Sequence, residues 1–206
     1  MKNSNQIPFR RVASGVGVII CQQLSRHSFR TLLARRPESF GLGLGVTGGG
    51  FVDNDRLYFE HLPGTVVDTA TETWRKAVEK NPGFEEIFSL EHFLERLHPI
   101  VAQHVRVDDE NEIHATTFYA LTVTDKEWSR VLELPSTDTR FGEPFEITVT
   151  FTDKVLKRTG NPENTLALYM PDGREPKDSG FHYRHELVAL GQIAWHVQEG
   201  LLWPPR

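Results

Sequence analysis

The sequence predicts an α/β fold in which strands and helices share layers, and three observations carry that reading. Paired apolar strands open the chain, a helix with a clear stop signal lies near residue 75, and the longest amphipathic helix closes the chain. Further strands fall between the two helices, so the elements do not segregate into separate halves.

The elements follow in order. Arg11 to Cys21 alternates small and branched apolar residues (Val12, Val16, Val18, Ile19, Ile20), and FRTLLARR, from Phe29 to Arg36, does the same after the polar QLSRHS. Two such runs across a short polar link predict a β-hairpin. Six glycines then fall between Gly41 and Gly50, and a short third strand runs through GFV at Gly50–Val52, followed by a Pro63-Gly64 turn. Asp68 to Asn81 reads as a helix: Thr69-x-x-Glu72 is a capping box at its start, and Pro82-Gly83 stops it. SLEHFLERLHPIVAQHV, from Ser89, reads as a second helical segment interrupted at Pro99. Strands are predicted from Ile113, Phe145 and Thr165. The last helix spans His182 to about Glu199, with Leu187, Leu190, Ala194 and Val197 along one face.

Composition narrows the class. A chain of 206 residues with 38% hydrophobic and 25% charged content is that of an ordinary globular protein, and it is read as one domain. No apolar run approaches the ~20 residues that cross a bilayer. The basic and apolar start of the chain is interrupted by Ser14, Gly15 and Gly17, which favours a strand over a signal peptide. Cys21 is the only cysteine, which excludes an intrachain disulfide and a Cys-x-x-Cys metal site and makes a reducing cytoplasm the expected compartment. A formal net charge of −5 gives no support for a nucleic-acid or membrane partner.

The glycine stretch poses the functional question. Gly43, Gly45 and Gly48 spell G-x-G-x-x-G, yet a dinucleotide site needs a helix to start at the last glycine, and GGFVDNDRLYF has no helical period. Two readings stand. The glycines let a twisted or bulged strand pack closely against its neighbours, or they open a ligand loop.

The second reading draws on a resemblance. Gly49-Gly50-Phe51-Val52-Asp53 resembles the Gly-Gly-x-x-Glu entry of the Nudix box, whose pattern is G-x5-E-x7-R-E-U-x-E-E-x-G-U. After an insertion, DTATETWRKAVEKNPGF fits the remainder without a gap, with Asp68 at the first Glu, Lys76 at Arg, Val78 at U, Gly83 at Gly and Phe84 at the last U. The leading strand pair and the closing helix also resemble that superfamily. The resemblance implies a Nudix-like α/β/α sandwich with a mixed central sheet and a helical insertion, additions falling at about 54–67 and 84–106. In this family the box glutamates hold Mg²⁺, which bridges a diphosphate and generates the attacking hydroxide.

This chain departs from the pattern at the metal. Ala77, Lys80 and Asn81 stand where the resemblance places box carboxylates, and a register shifted by one recovers Glu79 alone. An ammonium group in a cation's place repels it by about 1 to 4 kcal/mol per charge pair at contact. Lys76 and Lys80 are either a solvated face, with Glu72 and Lys76 as an i,i+4 pair, or direct phosphate ligands, joined by Arg35, Arg36, Gly49 and Gly50. The resemblance therefore implies a degenerate box that binds a nucleoside diphosphate-linked ligand, or a regulatory or structural subunit acting through a second copy or a protein partner. The alternative is a Mg²⁺-dependent phosphoanhydride hydrolase with Asp53, Asp55 and Glu79 as non-standard metal ligands, Glu79 and Asp53 being its catalytic groups.

Other constellations carry less. His182, His185 and Glu186 are in the wrong order for a zinc protease. Asp108, Asp109, Glu110 and Glu112 read as a solvated loop. Ser14 lacks a nucleophile elbow, Cys21 reads as a buried small hydrophobe, and the four tryptophans read as core or interface anchors.

Overall fold

The structure, a computed structural model, describes residues 11–36, 43–46, 49–51, 63–107, 112–135, 144–151, 166–175 and 184–202. Within these, side chains are described at 17–35, 70–71, 73–101, 116–135, 144–151, 166–175 and 186–202.

The strands are β1 (Arg11–Ser25), β2 (Ser28–Arg36), β3 (Gly43–Val46), β4 (Gly49–Phe51), β5 (Leu97–Val107), β6 (Glu112–Thr122), β7 (Phe145–Phe151) and β8 (Leu166–Tyr169). The helices are α1 (Pro63–Lys80), α2 (Phe84–Ile87), α3 (Leu90–Glu95), α4 (Asp125–Leu132) and α5 (Arg184–Gln198). One mixed sheet runs β5-β6-β1-β2-β7-β8. β1 and β6 are parallel, from Arg11 opposite Glu112 to Cys21 opposite Thr122, and every other described pairing is antiparallel.

The predicted hairpin is present but short. β1 and β2 pair from Cys21 opposite Thr31 to Ser25 opposite Ser28, then diverge. The glycine stretch fills the fork as two strands where the sequence suggested one. β4 pairs with β1 (Gly17 opposite Gly49, Val16 opposite Gly50), and β3 pairs with β2 (Arg35 opposite Leu44, Arg36 opposite Gly43). Backbone groups that the diverging strands no longer offer each other are thereby satisfied.

Alternation along the strands divides the apolar residues between two faces. Ile19, Cys21, Phe29, Leu33, Phe118, Ala120, Ile147, Val149 and Phe151 join Ala189, Leu190, Ile193, Ala194 and Val197 of α5 in one core. Val18, Leu32, Tyr119 and Leu121 face the other way and join Phe84, Ile87, Phe88, Phe93, Trp128 and Val131, with Trp74, Ala77 and Val78 of α1 packed on that cluster. The architecture is an α/β/α sandwich. Burial pushes the Cys21 thiol up to about 12.

Three local expectations are corrected. α1 starts at Pro63, so Pro63-Gly64 opens a helix, and Thr69 and Glu72 lie in its interior and not at its start. Proline at the first helical position forfeits only an N–H that has no intrahelical partner there. The segment from Leu97 is strand β5; the helix ends at Glu95, and a bulge between Pro99 and Val101 takes up the proline. Of the expected helical addition, α2 and α3 alone are helical. α4, missed in the sequence, begins at a true capping box: Thr124 Oγ1 accepts from the Glu127 amide at 3.3 Å, and the Glu127 carboxylate accepts from the Thr124 amide at 2.8 Å. Arg96 Nη1 donates to Glu127 at 2.6 Å. Burial acts to raise the Glu127 carboxyl, but these hydrogen bonds and the Arg96 charge outweigh it and hold the group below the usual carboxylate range.

A polar clamp fixes α4 to the sheet. Arg30 of β2 donates to Gln22, which in turn donates to Asp125, and Arg30 lies 3.6 Å from Glu146. The Arg30 guanidinium sits 4.9 Å from the centre of the Trp128 ring, whose Nε1 donates to Glu146 at 2.8 Å. Trp128 is fully buried, so the clamp caps the cluster of α1 to α4 where its apolar surface ends.

Two expected outcomes follow from this packing. A Cβ at Gly17 would stand 2.5 Å from two carbons of the buried Phe118 ring. Gly17→Ala is expected to lower stability by about 1 to 3 kcal/mol, as overpacking does, read as a lower urea midpoint at unchanged slope. Arg30→Ala removes the donor to Gln22 and the ion-pair partner of Glu146 and is expected to cost about 1 to 3 kcal/mol. An Arg30→Ala, Glu146→Ala pair should lose less than the sum of the single changes, measured as a double-mutant cycle.

Candidate functional site

Two groups of candidate residues emerge, each held by a different element. The first lies in the fork. Strand pairing sets Gly49 and Gly50 against Gly17 and Val16 on one wall, and Arg35 and Arg36 against Leu44 and Gly43 on the other. Arg35 is exposed. Gly17, opposite Gly49, leaves no room for a Cβ because Phe118 is pressed on it.

The second group is the last two turns of α1. Trp74, Ala77 and Val78 pack on the core, and the Trp74 Nε1 donates to the Phe88 carbonyl at 2.8 Å, tying the helix to the segment after α2. Lys76 and Lys80 stand one turn apart on the flank of that buried stripe, both half-buried. Glu79 is exposed and is the only carboxylate among the described side chains of α1.

The helix ends in a specific way. Asn81 Nδ2 donates to the Ala77 carbonyl at 2.9 Å, and the Asn81 amide donates to the same oxygen at 2.9 Å. Gly83 has φ of 93°, a left-handed conformation that favours glycine, and a Cβ there would also meet Leu134 at 3.2 Å. Phe84 follows, buried at 4% exposure and in ring contact with Phe88 and Phe93.

This end of α1 does not fit a divalent cation. Ala77 is packed against the core, Asn81 is turned back as a cap, and Lys80 brings positive charge. Asp53 and Asp55, the other candidate metal ligands, lie outside the described residues, as do His182, Asp108, Asp109 and Glu110. Among the described residues no group of three or more His, Cys, Asp or Glu stands together as a metal site. Glu186 is buried on α5. No described helix is long and apolar enough to cross a membrane.

Sequence reasoning missed the cap formed by Asn81 and the clamp around Arg30. The first had a signal, Asn one residue before Pro-Gly at a helix end. The second had none, because its members come from β1, β2, α4 and β7.

No family model and no curated protein matches the chain. Solved structures do match. A MutT/nudix family protein from Enterococcus faecalis superposes with a TM-score of 0.51 at 12% identity over 93% of this chain, which spans 65% of that one. A mutT/nudix family protein from Listeria innocua gives 0.42 at 14% identity over 96% of this chain and 100% of that one. The NUDIX domain of Shewanella oneidensis NrtR, complexed with ADP ribose, gives 0.35 at 15% identity over 70% and 81%. The fold of this chain is Nudix-like.

Proposed function

We propose that this Nudix-like chain is a single binding domain that accepts a nucleoside diphosphate-linked ligand and does not cleave it through divalent-metal chemistry. The observation that carries the reading is the end of α1. The box pattern finishes on a glycine and an apolar residue, and here Gly83 is left-handed and Phe84 is buried, which supports the ungapped register. In that register the carboxylate positions are Ala77, Lys80 and Asn81, a core residue, a cation and a helix cap. The shape of the box is kept while its anionic cage is replaced.

Lysine chemistry supplies what the metal would otherwise do for binding. An ammonium group donates up to three charge-assisted hydrogen bonds to phosphate oxygens and neutralises their charge. Lys76 and Lys80, one helical turn apart, match the two phosphates of a diphosphate, with Arg35 and Arg36 at the fork adding positive charge. Such a site binds an anion without lowering the pKa of a water, so it generates no hydroxide. A domain of this kind serves as a sensor or subunit, its bound state read by a second copy or by a protein partner.

Titration calorimetry in EDTA against ADP-ribose, NADH, dinucleoside polyphosphates and deoxynucleoside triphosphates tests the reading. Binding of at least one is expected, weakened about 10- to 100-fold by Lys76→Ala or Lys80→Ala, the usual size of a lost charged hydrogen bond. Silence across the panel removes the nucleotide ligand. Turnover on adding Mg²⁺ or Mn²⁺ overturns the non-catalytic reading, and its loss in Glu79→Gln or Asp53→Asn would then assign the carboxylates.

A further inference from the structure

We infer that β5 is the surface through which two copies of this chain meet, their edge strands pairing antiparallel from Val101 to Val107 about a two-fold axis at His104. β5 closes one end of the sheet, and among the described residues no strand pairs with its outer side. The backbone donors and acceptors on that side are a template for another strand. This edge shares no residue with the fork or with α1.

The two ends of the sheet are finished differently. β8 has four residues and leaves its edge at once through a turn, in which the Gly173 amide donates to the Met170 carbonyl at 2.8 Å and the Met170 amide to the Arg174 carbonyl at 2.7 Å. Arg174 pairs there with Asp172. A short strand ending in charge discourages further pairing. β5 has eleven residues, and Pro99 with the bulge before Val101 blunts only its start. From Val101 opposite Phe118 to Val107 opposite Glu112 its register is unbroken.

The sequence of that regular stretch, VAQHVRV, selects a second copy as the occupant. It holds no proline, glycine or acidic residue, and Arg106 is its single formal charge. Segments of this length and composition pair with themselves. Antiparallel contact between identical edges is isologous, and its axis stands perpendicular to the sheet and passes through a residue position. With the axis at His104 the whole stretch pairs: Val101 with Val107, Ala102 with Arg106 and Gln103 with Val105. The charged residue thus falls opposite an alanine, whereas an axis at Arg106 sets arginine against arginine. Like charges directly opposite each other oppose pairing.

The contact is also large enough to hold. Such a stretch exchanges about six to eight backbone hydrogen bonds, within the range of a stable interface. The perpendicular axis keeps equivalent faces together, so α5, which packs over β5, comes beside its twin on one side of the joined sheet. Between Leu187 and Gln198 that helix carries no Asp, Glu, Lys or Arg to repel its twin.

Sedimentation velocity and amide exchange on the full chain test the interface. A concentration-dependent dimer is expected, with alternate amides between Val101 and Val107 gaining protection as the protein is concentrated. Ala102→Lys sets like charge against Arg106 of the second copy at two equivalent places and is expected to weaken the dimer about 2- to 30-fold, whereas Ala102→Glu strengthens it by a similar factor. Combining Ala102→Lys with Arg106→Glu should restore the wild-type level. Within the chain Ala102 is in register with the uncharged Thr117, so a loss of stability alone moves both single variants the same way. A chain monomeric at every concentration overturns the inference, and so does a dimer that the two single variants shift alike. A monomer whose β5 amides gain protection from an added extended peptide overturns it in favour of a peptide ligand. Should the variants not fold, the wild-type exchange pattern decides, and a dimer with no added protection in β5 sinks the interface.

Discussion

The divergence of β1 from β2 is the constraint on which the sheet depends. Two strands that part after a few hydrogen bonds leave rows of backbone donors and acceptors that cannot stay unpaired inside a sandwich. β3 and β4 meet that demand from inside the fork, one on each wall. They succeed because the crossing is built from glycines, Gly17 against Gly49, where Phe118 leaves no space for a side chain. The other edge of β1 is then free to run parallel to β6 from Arg11 to Cys21, which sets the long central strand with a helical layer on either side.

The two layers are held by different chemistry. Beneath α5 the contact is apolar, with alanines at 189 and 194 allowing close approach to the sheet. The opposite layer is assembled from four helices, and polar devices position them: the Trp74 hydrogen bond, the Thr124 and Glu127 box with Arg96, and the Arg30 clamp. Each places an indole or a charge where apolar packing stops. α1 belongs to this layer, so its inner face is committed to the core, and only its flank and outer face remain for a ligand.

Much of this was legible in the residues. Alternation located β1 and β2, the strands from Ile113, Phe145 and Thr165 correspond to β6, β7 and β8, and the apolar face of the last helix located α5. β5 was misread because His98-Pro99-Ile100-Val101 follows a helix directly and contains a proline; the bulge that accommodates it depends on its partner β6. α4 is short, and its cap was overlooked. Of the site, the helix stop at Pro82-Gly83 and the charge of Lys76 and Lys80 could be read, whereas the return of the Asn81 amide to Ala77 and the pairing of Gly49 with Gly17 required coordinates. Contacts between residues far apart in the chain leave no local periodicity, which is why the Arg30 clamp was silent.

Cys21 lies where the hairpin pairing ends and the fork begins, sealed beneath α5 with its thiol held protonated up to about pH 12. The nucleophile and the oxidisable species is the thiolate, so the native molecule presents almost none of it to peroxide or to an alkylating reagent. Its sulfur reacts only when the sheet opens, which makes the lone thiol a built-in clock for breathing of the central strands.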